Sequence, residues 1–315
     1  MSKIAFVFPG QGAQYTGMAH DFYERFPVSR EVFEKASRAS GLDVAALCFE
    51  ENENLNITEY TQIAMLTAEI AILRAVEESG IHSQVNAGLS LGEYAALAAS
   101  GVMKEEDAFA IVRKRGILMQ NTVPAGEGAM CAVISMAAEE IEKVIEPIAD
   151  VSVANYNCPG QIVITGKTDA VEEAAAKLKE AGARRTIMLN VSGPFHSQML
   201  VPAGEKLAEE LEHTRFHELR IPYVTNVTAE KVTDIRETPG LLTTQISSPV
   251  RWMQSMERMI ADGVDTFVEI GPGKTLDGFL RKIDRSVKVF HISQWEDVDK
   301  VCTELADSGK MMEEA

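Results

Sequence analysis

The segment Gly88-Leu89-Ser90-Leu91-Gly92 restricts the fold of this chain more than any other, because of what stands on either side of it. Val85 to Leu89 is an apolar run of strand length, and Glu93-Tyr94-Ala95-Ala96-Leu97-Ala98-Ala99 is built of helix formers. A strand that passes into a helix within so few residues must turn sharply, and the two glycines leave room for backbone to approach backbone. The chain therefore needs a sheet with helices packed on it, and Ser90 stands exposed at the turn. The helix N-terminus beside it offers free N–H groups and a positive dipole end to developing negative charge. A capping serine between incidental glycines is the plainer reading of the same residues, and the strand before and the helix after weigh against it.

Other segments fit an α/β chain. Ile4 to Phe8 reads as a buried strand, followed by the turn-forming loop Pro9-Gly10-Gln11-Gly12-Ala13-Gln14. Strands are expected at Thr266 to Ile270 and Val287 to Ile292, with a helix over Thr275 to Ile283, and Leu200, Ala203, Leu207 and Leu211 mark one face of an earlier helix. Between Gly128 and Val191 the order changes to strand (Met130 to Met136), helix (Ala138 to Ile148), strands (Val151 to Tyr156, Gln161 to Thr165), helix (Ala170 to Ala181) and strand (Arg185 to Leu189). That order, βαββαβ, is ferredoxin-like. The expected fold is a large, discontinuous α/β-hydrolase-like domain with a parallel sheet over residues 1–127 and 196–315, interrupted by an inserted ferredoxin-like subdomain over residues 128–195. Pro124 to Gly128 and Ser192 to Pro194 are the expected hinges.

Composition excludes several classes. A formal net charge of −17 opposes general binding to nucleic acid and to anionic membrane. Lys3 leads directly into the first strand, so no signal peptide is expected, and Ile63 to Val76, interrupted by Glu69 and Arg74, reads as a buried or half-buried helix rather than a membrane span. The four cysteines, Cys48, Cys131, Cys158 and Cys302, lack paired spacing and are expected to be reduced thiols, with no disulfide framework and no metal site. These readings together predict a cytoplasmic protein. Two further motifs fail on inspection. Tyr15 stands where the dinucleotide fingerprint needs its third glycine, and Val268 where a phosphate loop ending in Gly273-Lys274-Thr275 needs its first.

A serine hydroxyl needs a base to become a nucleophile. Of the six histidines, His196 follows the turn Ser192-Gly193-Pro194-Phe195 that returns the chain from the insert, which puts it in reach of the cleft between the two parts. His20, His82, His213, His217 and His291 have no such setting and read as surface or structural.

Six segments, in this order, resemble the malonyl-CoA:acyl carrier protein transacylases: Phe8-Pro9-Gly10-Gln11-Gly12-Ala13-Gln14, Gly88-Leu89-Ser90-Leu91-Gly92-Glu93-Tyr94, Arg115-Gly116, Asn155-Tyr156-Asn157-Cys158-Pro159-Gly160-Gln161, Gly193-Pro194-Phe195-His196 and Glu269-Ile270-Gly271-Pro272-Gly273. The match spans nearly the whole chain. The resemblance implies an acyltransferase in which Ser90, deprotonated by His196, takes a malonyl group from malonyl-CoA as an ester and passes it to the thiol of holo acyl carrier protein. It further implies an oxyanion hole from the main-chain N–H groups of Gln11 and Leu91, an arginine, Arg115, that holds the free carboxylate, and a main-chain carbonyl at Gln245 that orients His196. Leu89, Phe195 and Asn155 match substrate-binding positions. Bidentate donation suits a guanidinium to a carboxylate better than lysine, although Val112-Arg113-Lys114-Arg115 on its own reads as a solvated basic run. Leu89 departs from the histidine usual in the family, and Phe195 goes with malonyl rather than methylmalonyl in related acyltransferases of polyketide synthases (PKS).

No cofactor is implied, since the carrier protein bears the phosphopantetheine. A monomer is expected. Candidate contacts for the acidic carrier protein are Lys274, Arg281, Lys282 and Arg285, with Arg184 and Arg185 across the cleft. Three other readings stay open on sequence: a stand-alone acyltransferase serving a polyketide synthase, a serine esterase or thioesterase, and a carrier-binding module without activity.

Overall fold

The computed structural model describes residues 3–307. The outermost ends of the expected large domain, residues 1–2 and 308–315, lie outside them. In chain order the strands are β1 (Ile4–Phe8), β2 (Val85–Gly88), β3 (Gly128–Ile134), β4 (Val151–Cys158), β5 (Gln161–Lys167), β6 (Arg185–Met188), β7 (Tyr223–Val224), β8 (Lys231–Val232), β9 (Thr266–Ile270) and β10 (Lys288–Ile292). Among the described residues they form two sheets.

The larger sheet has the order β10-β9-β1-β2-β7-β8. Its first five strands run parallel and β8 turns back antiparallel on β7. All residues of β1 are buried, as in a parallel strand covered on both faces. Helix Thr58–Glu78 includes the apolar run around Ile63 to Val76, and Ile63, Met65, Leu66, Ile70 and Ile72 are all fully buried. A helix apolar on every side is enclosed rather than laid on a surface, and helices Pro27–Ser40 and Glu105–Asn121 pack around this one. Among the described residues no helix is long and apolar enough to cross a membrane.

The smaller sheet has the order β4-β5-β3-β6, with every neighbouring pair antiparallel. Helices Ala138–Ile145 and Thr168–Glu180 bury Ile141, Val171 and Leu178 against Val133 and Ile164, so this sheet has a core of its own. With the chain order βαββαβ, the arrangement is the ferredoxin-like one.

Two contacts fix the small sheet against the large one. A Cβ on Gly128 would lie 2.3 Å from Cγ of Pro194, so the chain leaves for the insert and returns from it at one point. At the far end of the insert, Tyr156 N–H donates to the Val250 carbonyl at 2.9 Å and Val250 N–H to the Ala154 carbonyl at 2.8 Å. A register shift in β4 between Val153 and Asn155 accompanies this bridge.

Candidate active site

The turn after β2 carries the strain its sequence implies. Ser90 has φ +55°, in the left-handed region that residues with a side chain rarely adopt. A Cβ on Gly88 would lie 1.9 Å from the Gly92 carbonyl, and one on Gly92 would lie 2.3 Å from the Phe8 carbonyl oxygen. Both positions therefore admit only glycine, and the helix Gly92–Ala99 can fold back over the strand and the loop that follows β1. Asn226 staples the turn: its Oδ1 accepts the Ser90 N–H at 2.6 Å and its Nδ2 donates to the Gly88 carbonyl at 2.6 Å. Those bonds offset the cost of the left-handed serine.

Ser90 Oγ lies 2.8 Å from His196 Nε2, and His196 Nδ1 lies 2.9 Å from the main-chain oxygen of Gln245. A carbonyl can only accept, so Nδ1 carries the proton and Nε2 is left to accept from the serine hydroxyl. His196 is buried and itself has φ +61°. Burial, together with the charge of Arg115, holds its imidazole down at about 4, which leaves it neutral at pH 7.

Arg115 is 1% exposed. Nη1 donates to Gln62 Oε1 at 2.6 Å, and Nη2 donates to Gln245 Oε1 at 3.0 Å and to Ser90 Oγ at 3.2 Å. Its guanidinium also faces the Tyr94 ring, 5.5 Å from the centroid. Every acceptor it bonds is neutral. The solvated reading of the basic run holds for Lys114, which is exposed and pairs with Glu210, but fails for Arg115. Two positions along a helix turn a side chain through about 200°, so Arg113 reaches Glu59 at 2.9 Å while Arg115 points inward.

A cavity of about 270 Å³ opens over Ser90. Gln11, Leu89, Leu91, Arg115, Asn155, Phe195 and His196 all border it, and Met130 and Val163 close it from the small sheet. Gln245 stands behind His196. The Gln11 side chain donates to Thr58 Oγ1 at 3.0 Å, and the Thr58 hydroxyl meets Ser192 Oγ at 2.7 Å. The loop after β1, the central helix and the hinge at Ser192 are thereby joined beside the cavity.

The basic residues divide. Lys274, Lys282 and Arg285 are exposed on or next to helix Thr275–Ile283, whose inner side gives Leu276 and Phe279 to the cavity wall, while Arg281 is tied to Asp277. Arg185 is exposed and does not border the cavity. It pairs with Ile134 at the end of β6 opposite to Leu189, a cavity residue, and four residues of strand separate them by roughly 13 Å. Arg184, next to it, donates its N–H to the same Ile134.

Sequence reasoning assigned no role to Asn226, Gln62 or Glu93. Glu93 lies within a quoted motif, whereas Asn226 and Gln62 stand in segments with no turn or spacing pattern to mark them.

Comparison with known proteins agrees with this geometry. The family model described as acyl transferase domain matches residues 5–297. The chain is 44% identical over 304 residues to the malonyl CoA-acyl carrier protein transacylase of Bacillus subtilis, covering 95% of this chain and 96% of that one. The crystal structure of the malonyl CoA-acyl carrier protein transacylase from Clostridium perfringens superposes with a TM-score of 0.95 at 44% identity, covering 98% of each chain. A malonyl-transacylase solved in complex with its type II PKS acyl-carrier protein superposes with a TM-score of 0.93 at 38% identity, covering 96% of this chain and 100% of that one. Fold, nucleophile turn and relatives agree: the chain is an acyltransferase that belongs to the acyl transferase domain family, in its malonyl CoA-acyl carrier protein transacylase branch.

Proposed function

We propose that this protein transfers a malonyl group from malonyl-CoA to the thiol of holo acyl carrier protein through a malonyl ester on Ser90, supplying fatty acid synthesis. One observation carries the reading: Ser90 Oγ is within reach of both His196 Nε2, at 2.8 Å, and Arg115 Nη2, at 3.2 Å. An acyl group esterified there with a free carboxylate at its other end meets a buried guanidinium whose bonded acceptors are all neutral.

The steps balance without a cofactor. His196 Nε2 takes the Ser90 proton as Oγ attacks the thioester carbon. Main-chain N–H groups of Gln11 and Leu91 receive the oxyanion, each worth roughly 2.7–4 kcal/mol to the transition state. The Ser90 N–H is already committed to Asn226, which favours Leu91 as the donor next to the nucleophile. Collapse expels the CoA thiolate, which takes the proton back from His196. In the second half His196 deprotonates the carrier thiol, sulfur attacks the ester, and Ser90 leaves with the proton. Gln245 supplies an orienting carbonyl where a hydrolase triad has a carboxylate.

Leu89, Phe195 and Asn155 shape the acyl pocket on this reading, and the insert over residues 128–195 is a subdomain whose Met130 and Val163 cover it. Lys274, Arg281, Lys282 and Arg285 are the carrier-facing candidates, all exposed on or next to helix Thr275–Ile283, on a cytoplasmic, monomeric enzyme. A polyketide carrier is the second reading, favoured by the relative solved with a type II PKS acyl-carrier protein.

Initial rates measured with malonyl-CoA and holo carrier protein both varied are expected to give parallel double-reciprocal lines. Converging lines would replace the ester mechanism by direct transfer.

A further inference from the structure

Glu93 is a fully buried carboxylate in the first turn of helix Gly92–Ala99, close behind the nucleophile, and the acyl transfer just described makes no use of it. Its Oε2 accepts from Gln245 Nε2 at 2.6 Å and from the Asn226 main-chain N–H at 3.1 Å. Burying a carboxylate beside the reacting groups is costly unless its bonds do something that a neutral residue would not.

Gln245 is where those bonds converge. Its Nε2 donates to the Ser90 carbonyl at 3.0 Å as well as to Glu93, its Oε1 accepts from Arg115 Nη2 at 3.0 Å, and its main-chain oxygen accepts from His196. A side-chain amide has one donating end and one accepting end, whereas Glu93 Oε2, which also takes the Asn226 N–H, faces Gln245 as an acceptor even though burial pushes the Glu93 carboxyl up to about 7. Glu93 therefore decides which way round the amide sits. With nitrogen held toward Glu93, oxygen is left for the guanidinium. The reversed amide would set N–H against N–H at Arg115 and oxygen against oxygen at Glu93, two repulsions in a site closed to water.

We propose that Glu93 is a positioning residue: by fixing the orientation of the Gln245 amide it holds the Arg115 guanidinium over Ser90 and so contributes to selection of acyl groups that carry a carboxylate. The proposal rests on the role given to Arg115 above. Asn226 ties the same carboxylate to the nucleophile turn, since its main-chain N–H bonds Glu93 while its side chain clamps Ser90 and Gly88. Guanidinium and nucleophile are thus referenced to one buried group.

The test compares malonyl-CoA with acetyl-CoA, which lacks the carboxylate, as donors to Ser90, reading ester formation by intact mass. Glu93→Gln, Gln245→Ala, their double variant and Arg115→Ala are each compared with the unaltered protein. Gln245→Ala keeps the main-chain carbonyl that orients His196 and removes the relay together with the bond to the Ser90 carbonyl, a loss that falls on both donors alike. Glu93→Gln and Gln245→Ala are each expected to lower the malonyl-to-acetyl ratio of kcat/KM roughly tenfold, and the double variant to lower it no further, as for residues coupled in one network. Equal losses for both donors, with the ratio unchanged, would assign Glu93 a structural role only and overturn the proposal. Additive effects in the double variant would overturn it as well. An unchanged ratio in Gln245→Ala does the same from the other end of the relay, and needs no variant at Glu93 to fold. A ratio unmoved in Arg115→Ala would instead defeat the reading of Arg115, a different outcome from one that collapses there and persists in Glu93→Gln.

Discussion

His196 Nδ1 lies 2.9 Å from the main-chain oxygen of Gln245, the place that a carboxylate holds in a serine–histidine–acid triad. A carbonyl fixes the tautomer and the ring plane as a carboxylate does, but it brings no negative charge to stabilise imidazolium. With burial and Arg115 acting in the same direction, the imidazole titrates at about 4 instead of 6.5. The imidazole is thus free of its proton at neutral pH, as the base proposed for Ser90 must be.

The pH profile follows from that sign. The group is active when deprotonated, so kcat/KM for ester formation on Ser90 should be level from roughly pH 6 to 8 and fall only as pH approaches the depressed value of about 4. Arg115→Ala removes the neighbouring positive charge, and the falling limb should then move to higher pH. Rapid-quench mass spectrometry reads both profiles; an inflection near 6.5 in the unaltered protein would contradict the assignment.

Close packing at the turn gives a second expectation. Gly92→Ala would drive a Cβ to 2.3 Å from the Phe8 carbonyl oxygen, so either the helix or the loop after β1 must shift. A stability loss of at least about 1–3 kcal/mol in urea unfolding is expected, along with loss of ester formation on Ser90. Gly240→Ala, in helix Thr238–Gln245 with open space at its Cβ, is the control and should gain roughly 0.5–1 kcal/mol.

Glu69 links the central helix to stability. It is fully buried with neither carboxyl oxygen hydrogen-bonded, and burial, helped by Glu269 nearby, pushes its carboxyl well above the usual range. Glu269, on β9, is itself pushed up to about 7 by burial, against the N–H groups of Asp277 and Leu276 that bond it. Above about pH 4.5 the unfolded chain releases the Glu69 proton while the folded one keeps it, so this group lowers stability as pH rises. The melting temperature of Glu69→Gln relative to the unaltered protein should therefore increase from pH 5 to pH 8. A constant difference across that range would mean that Glu69 is not held protonated.

Much of this site was legible because turn chemistry is local. Gly88, Ser90 and Gly92 state a sharp strand-to-helix turn within the turn itself, and the βαββαβ pattern repeats often enough to survive errors at element ends, such as the helix expected to run to Ile148 that stops at Ile145. His196 could be placed because a turn precedes it. Arg115 was harder, since helical period alone does not say whether Arg113 or Arg115 faces the core; contacts with Gln62 and Tyr94 decide it. Strands β7 and β8 span two residues each, too few to show alternation. Asn226 and Glu69 act through partners far away in sequence, and nothing beside them in the chain indicates those partners.

The most direct measurement is the intact mass of the purified protein after mixing with malonyl-CoA, repeated for Ser90→Ala and Arg115→Ala. A malonyl adduct is expected, absent in Ser90→Ala, much reduced in Arg115→Ala, and discharged when holo acyl carrier protein is added. No adduct, or an adduct that water removes as fast without carrier as with it, would contradict transfer through Ser90 and point to a carrier-binding module or a hydrolase.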